Sequence, residues 1–222
     1  LAKGIFITLE GGEGTGKSTQ IRLLQQALAE NGVNAVTTRE PGGTDQAERI
    51  RNLLVQSDGG HFDPLTEALL LFAARREHLV KKIWPALEQG QWVISDRFAD
   101  STRAFQGYGM GLDMNVIEGL YQAVAGTFQP DLTFIFDIDP EVGLSRSLKR
   151  LADSALTEDR YERMGLPFHQ RLRQGFLDLA KKFPARCVVI DAAQDVQAIH
   201  QQVMKVVEQR FGIHGKKTGN RE

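Results

Sequence analysis

Cysteine is almost missing: the 222 residues of the chain hold one, Cys187. One cysteine excludes an internal disulfide framework and any all-cysteine metal site. Its place in the run Cys187-Val188-Val189-Ile190 reads as a buried strand position rather than a reactive thiol. Histidine is sparse as well, and the five present form no metal-ligand spacing. Net charge nearly vanishes, at −1, so no nucleic-acid polymer and no anionic membrane is implied as a partner. No apolar run approaches a membrane span. The first residues have no signal-peptide layout, and the expectation is a cytoplasmic enzyme. No internal repeat is present. What remains, 41% hydrophobic and 25% charged residues, is the balance of a globular domain able to bury a core.

Glycine is dense in one place. Gly11-Gly12-Glu13-Gly14-Thr15-Gly16-Lys17-Ser18 fits G-x-x-x-x-G-K-[ST] without a gap. It follows the apolar run Ile5-Phe6-Ile7-Thr8-Leu9 and precedes a helical pattern, which is the context that motif needs. The glycines let backbone N–H groups turn inward around phosphate oxygens. The helix behind points its positive dipole end at the same anion. Lys17 can reach the β- and γ-phosphates, and the Ser18 hydroxyl can ligate magnesium. With Thr19, this loop is the expected ATP-binding segment.

Strand-length apolar runs alternate with helical patterns. The strands read as Gly4–Glu10, Ala35–Thr38, Trp92–Ser95, Leu132–Ile138 and Cys187–Ile190. The helices read as 16–31, 44–56, 64–89, 113–124, 141–150, 167–182 and 196–211. Mostly continuous apolar strands with helical crossovers predict a parallel α/β sheet covered on both faces. Ligands in such folds sit at the carboxyl ends of strands, which selects Glu10, Arg39-Glu40, Asp96-Arg97 and Asp137-Asp139. The charged segment 151–166, with arginines 146, 150, 160 and 163 in and around it, reads as a surface connection or as a lid over phosphates. The expectation is one domain over 1–211 with a lid at about 150–166, and a polar tail over 212–222 expected to be disordered.

A guanine-nucleotide switch needs an N-K-x-D base reader, and none is present. A partition-type ATPase needs a second lysine early in the loop, where this chain has Gly12. A small-molecule kinase needs a second anion site, and Arg39, Arg51, Arg75, Arg76, Arg97 and Arg103 offer one. Arginine suits phosphate because its planar fork donates two parallel bonds. Arg97 and Arg39 stand at strand ends, where ligands collect. Phe72 and Arg76 are four apart and share a helix face, a ring and a fork for a nucleobase. Core packing explains Phe72 equally well on periodicity. A kinase acting on another nucleotide or nucleoside stays open at this point, as does a non-catalytic ATP-binding switch.

The motif set resembles bacterial thymidylate kinases. It comprises Leu9–Ser18, Thr38-Arg39-Glu40-Pro41-Gly42-Gly43-Thr44, Leu71-Phe72-Ala73-Ala74-Arg75-Arg76-Glu77-His78, Asp96-Arg97-Phe98 and Phe105-Gln106-Gly107. Pro130–Thr133, Asp137–Gly143, Asp159–Glu162 and Phe168…Arg171-Leu172-Arg173 extend it, so the likeness runs from about Gly4 to Phe211. The resemblance implies a P-loop nucleoside monophosphate kinase fold: five parallel strands flanked by helices on both faces, with a small lid. It implies phosphoryl transfer from ATP to dTMP with Mg2+, by a homodimer. It implies that Arg39, Arg51 and Arg97 hold the acceptor phosphate. Phe72 would stack on thymine, Arg76 would bond its edge, and Thr102, Phe105 and Gln106 would complete the pocket. Glu13 would orient the acceptor nucleotide, and Ser18 with Asp96 would take the metal. Phe105 stands where many relatives have tyrosine, keeping bulk against a ribose 2′-hydroxyl without the phenol's hydrogen bond.

The resemblance also sorts two catalytic variants. One carries an arginine in the phosphate loop, at the position of Gly14 here. The other leaves the loop without it and supplies basic residues from the lid. Arg146, Arg150 and Arg160 are then the lid candidates, joining Lys17 in charge neutralisation.

Overall fold

In the computed structural model, residues 3–55, 62–152 and 160–213 are described. The heart of the lid, 153–159, and the tail beyond Ile213 lie outside them. Five strands form one parallel sheet in the order β2-β3-β1-β4-β5. They are β1 (Phe6–Gly11), β2 (Ala35–Arg39), β3 (Trp92–Asp96), β4 (Leu132–Asp137) and β5 (Cys187–Asp191). Every residue of β1 is buried, as a central strand covered on both faces requires. Four of the strands run one residue further than their apolar patterns, taking in Gly11, Arg39, Asp96 and Asp191. Ladder pairing with a neighbouring strand carries each one residue past its apolar run.

One face of the sheet is covered by α1 (Lys17–Glu30) and α9 (Val196–Phe211), packed on Ile7, Leu9, Ile94, Phe134 and Ile190. The other is covered in two patches. Phe6 and Val93 pack on the helical run after α3 and on α6 (Met114–Ala125). Ile135 and Cys187 pack under α8 (Leu166–Lys182). Burial pushes the Cys187 thiol up to about 12, so it stays protonated and inert, as its apolar run predicts.

The long helical pattern over 64–89 is three pieces. α3 (Pro64–His78) starts on an Asp63 cap that accepts from the N–H groups of Leu65 and Thr66. A π-helical turn, Leu79–Ile83, follows, and α4 (Trp84–Glu88) completes the run. Pro85 lacks the N–H for an ordinary helical bond, and at the wide turn Trp84 donates back to Leu79. Between β3 and α6 the chain is also helical: α5 (Ala99–Thr102) runs into a π-helical stretch, Arg103–Gly109. Apolar periodicity is blind to this element, because it buries Asp100, Ser101, Thr102, Arg103 and Gln106. They are tolerated because they pair: Arg186 and Arg103 both bond Asp100, at 2.6 and 3.0 Å. The remaining helices are α2 (Asp45–Val55) and α7 (Pro140–Ala152), the latter leading to the lid. No helix among the described residues is long and apolar enough to cross a membrane.

Candidate active site

α1 begins at Gly16, whose φ of 84° is left-handed, and no side chain caps its first turn. Those N–H groups are therefore left facing the loop, ready for an anion. Lys17 is buried, and its Nζ lies against the loop itself, 3.2 Å from Gly11 O and 2.8 Å from Gly12 O. Burial and the nearby Arg97 push its ammonium down to about 8, against the pull of Glu13 and Asp96. Gly14 is held at φ 68°, and a Cβ there would stand 2.0 Å from the Gly143 carbonyl oxygen of α7. The phosphate loop is thus docked on the helix that leads to the lid, with no room for a side chain at Gly14. The arginine that the other catalytic variant carries at this position would not fit this backbone.

In front of the loop lies a cleft of about 460 Å³ at the carboxyl ends of β1, β2 and β3. Residues 13–19, Arg39, Arg51, Asp96, Arg97, Thr102, Phe105, Gln106, Arg150 and Arg160 all line it. Gly11 and Gly12 do not, but their carbonyls hold Lys17. Arg97 is central. Among the described residues it is the one non-glycine at positive φ, 68°. Its Nη2 meets Glu13 Oε1 at 2.5 Å, and its Nη1 donates to Gly11 O and Ser101 Oγ. The guanidinium also lies over the Phe105 ring, 4.9 Å from its centroid. Burial works to raise the Glu13 carboxyl, but Arg97, Lys17 and Arg150 outweigh it and hold it ionised below its usual range. Beneath this group Glu10 is fully buried and accepts from Phe98 N–H at 2.7 Å and Ser101 Oγ–H at 2.5 Å. Burial and Asp100 push its carboxyl up to about 7. Glu10 thereby fixes the turn that carries Arg97.

The residues expected to read the base, Phe72 and Arg76, do not line the cleft. Phe72 is buried outside the cleft, and Arg76 lies over Trp84 and donates to Val124 O, also outside it. Leu71 and Arg75, likewise four apart, occupy the cleft face instead. Arg75 Nε pairs with Glu40 Oε2 at 2.7 Å, and Nη2 donates to Thr102 Oγ1 at 3.0 Å. His78 and Thr38 extend that network, with His78 Nδ1 3.0 Å from Glu40 and Nε2 2.6 Å from Thr38 Oγ1. The ion pair decides which face of α3 turns inward. The buried carboxylate needs Arg75, whereas Arg76 can reach water. Arg75 Nη1 is buried without a partner. So is Gln106 Oε1. Two residues that line the cleft thus carry one unused donor and one unused acceptor.

The lid candidates separate. Arg150 lines the cleft, is exposed, and donates to Ser147 Oγ at 3.1 Å. Arg146 donates to Ala192 O beyond β5 and does not line the cleft. Arg160 lines it but pairs with the buried Glu67 of α3 and donates to Leu54 O at 3.1 Å. A guanidinium so held forms part of the pocket wall and does not swing with a lid. Arg39 pairs with Glu48 at 2.9 Å, and Arg51 donates to Pro41 O at 3.1 Å.

Magnesium fits two of these residues. Ser18 Oγ is 3.4 Å from Asp96 Oδ2, and Asp96 Oδ1 is buried with no hydrogen-bond partner. One carboxylate and one hydroxyl, with substrate phosphates, form an ordinary donor set for that ion.

The chain is similar to known proteins over most of its length. The thymidylate kinase family model matches residues 9–203. A thymidylate kinase from Magnetococcus marinus is 48% identical over 95% of this chain and 99% of its own. One from Caulobacter vibrioides is 46% identical over 96% of this chain and 100% of its own. Among solved structures, thymidylate kinase from Ehrlichia chaffeensis superposes with a TM-score of 0.74. That protein is 41% identical, over 92% of this chain and 99% of its own.

Proposed function

The chain belongs to the thymidylate kinase family, and from that premise we propose how its cleft moves a phosphoryl group from ATP to dTMP. The fold is that of the P-loop nucleoside monophosphate kinases, and the enzyme phosphorylates dTMP to dTDP at the expense of ATP. ATP lies with its β- and γ-phosphates in the loop over 11–19, against Lys17 and the start of α1. A dTMP phosphate oxygen attacks the γ-phosphorus, and the bond to the bridging oxygen of ADP breaks. Arg97 spans the two halves of the site, and its salt bridge to Glu13 supports this placement. Arg39 and Arg51 line the same side of the cleft and take the acceptor phosphate with it. Magnesium bound by Ser18 and Asp96 would neutralise charge on the transferred group.

The observation that carries the choice of base is the pair of unused groups. Thymine presents an acceptor, O4, beside a donor, N3–H. Arg75 Nη1 and Gln106 Oε1 are a donor and an acceptor, the complementary pattern. Cytosine presents the reverse and would leave both groups unpaired, which is costly in a buried site. A coupled ADP-release assay across dTMP, dUMP, UMP, dCMP and thymidine tests this. We expect dTMP to be used best and dCMP at least about a hundredfold worse in kcat/KM. Equal use of dCMP would overturn the assignment of Arg75 and Gln106.

Closure belongs to the same reading: one catalytic domain over 1–211 whose lid, about 150–166, brings Arg150 to the transferred phosphoryl. Arg150→Ala is expected to lower kcat by about tenfold or more with little change in ATP affinity, since the arginine counts only once the lid is shut. Unchanged single-turnover rates would remove Arg150 from the mechanism.

A homodimer fits α3 and its continuation. Leu65, Leu69 and Val80 are 42%, 48% and 43% exposed, and they fall on one helical face. Light scattering should return twice the chain mass, and a monomer at working concentration would refute the dimer. A cytoplasmic location completes the reading and is checked by cell fractionation.

A further inference from the structure

The proposed base reader Gln106 is held by a group that does not line the cleft. Glu67 of α3 is fully buried. Its Oε1 accepts from Gln106 Nε2 at 2.7 Å and from the Tyr161 hydroxyl at 2.6 Å. Its Oε2 takes Arg160. Arg160 in turn reaches back to Leu54 of α2. One carboxylate therefore gathers donors from the π-helical stretch after α5 and from residues 160–161 of the cleft wall.

An ionised carboxylate only accepts. It therefore settles which end of the Gln106 amide it meets: the NH2 group turns to Glu67, and the carbonyl Oε1 of this cleft-lining residue is left buried and unpartnered. An amide free to turn over would offer a donor there as readily as an acceptor. Tyr161 cannot loosen this arrangement, because burial and the Glu67 charge push its phenol far above the ordinary range and it remains a donor.

We propose that Glu67 is a positioning residue that sets the acceptor-base preference of the enzyme, by fixing Gln106 with its carbonyl toward the base. Arg160 and Tyr161 share the same carboxylate, so the wall around residues 160–161 and the orientation of Gln106 are held by one group. The inference rests on the reading of Gln106 given above. It adds a selectivity determinant that the base never touches.

Glu67→Gln tests it, with the ratio of kcat/KM for dTMP to that for dCMP as the readout. The carboxamide keeps the shape but both donates and accepts, so Gln106 can turn. The ratio is expected to fall on the order of tenfold, the effect of one misdirected hydrogen bond in a buried site, with KM for ATP unchanged. Both rates come from one sample, so a smaller folded fraction does not move the ratio. Gln106→Leu is assayed alongside. A fall in both variants supports the proposal. If the ratio falls for Gln106→Leu but not for Glu67→Gln, Glu67 is only packing; the proposal fails and the reading of Gln106 stands. If neither moves it, Gln106 does not read the base, and both ideas fail. A fall for Glu67→Gln alone also overturns the proposal, because the effect would not run through Gln106. Should Glu67→Gln not fold, pairing it with Arg160→Met removes the stranded cation and keeps the same readout.

Discussion

Arg97→Ala is expected to lower kcat/KM for dTMP by about a thousandfold while ATP affinity changes only a few fold, the scale of losing a preorganised cation at a transferring phosphoryl group. The asymmetry follows from where the guanidinium sits. It bonds Gly11 O and Glu13 on the donor loop, yet it arises from β3 and lies over Phe105 on the acceptor side. ATP keeps Lys17 and the bare first turn of α1 without it. The acceptor phosphate loses its pre-aimed fork, and Glu13 loses its nearest counter-charge. Arg97→Lys should recover only part of the rate, because an ammonium lacks the planar fork that aims parallel bonds at a phosphate. Backbone strain does not enter the comparison of arginine with alanine, since both carry a Cβ at the φ of 68°. Arg97→Gly relieves the strain and should lose the same activity. Wild-type efficiency with dTMP in either Arg97→Ala or Arg97→Gly would refute the role of Arg97. Steady-state kinetics with each substrate varied, together with ATP titration calorimetry, decides it.

The phosphate loop, the parallel sheet and the arginines at strand ends were legible from residue order alone. Each rests on a local rule: glycine spacing, a continuous apolar run, or the carboxyl edge of a sheet. The side chains that choose between neighbours were not. Phe72 with Arg76 and Leu71 with Arg75 have the same four-residue spacing, so periodicity cannot say which pair faces the ligand. The choice is made by Glu40, 35 positions away from Arg75 along the chain. Glu67 is illegible for a related reason: a lone glutamate on a helix reads as solvated surface, and only the fold reveals that donors from Gln106 and Tyr161 converge on it. The place of Glu10 at a strand end is legible, but its partners Phe98 and Ser101 are not. The residues 99–109 went unread as a helix because their buried face is polar, and hydrophobic patterning has nothing to register there. Arg160 reads as a lid residue from its neighbours in sequence, and only the fold shows its ion pair with Glu67. In each case the missing information was a long-range polar partner.

Those partners make Arg75 costly to remove. Arg75→Ala is expected to lower stability by about 3–5 kcal/mol, because it strands a buried carboxylate that now answers only to His78. In a domain of this size that is a drop in Tm on the order of 10 °C. The same change removes the donor proposed for thymine O4 and the bond that fixes Thr102. Activity toward dTMP should therefore collapse for two reasons, and one variant cannot separate them. A second substitution can. Glu40→Gln neutralises the stranded charge, so Arg75→Ala with Glu40→Gln should regain most of the lost Tm by differential scanning calorimetry. Base recognition should not return, because no donor has been restored at the cleft. The double variant is expected to be folded, to bind ATP normally, and to show kcat/KM for dTMP down by about a hundredfold or more, with its preference over dCMP largely gone. Recovery of dTMP turnover along with Tm would mean that Arg75 serves the fold alone and that thymine is read elsewhere in the cleft. A double variant as unstable as the single one would instead show that Glu40 is not the carboxylate whose charge Arg75 holds. The two measurements therefore divide the residue's work between an ion pair that sets the face of α3 and a hydrogen bond that selects the base.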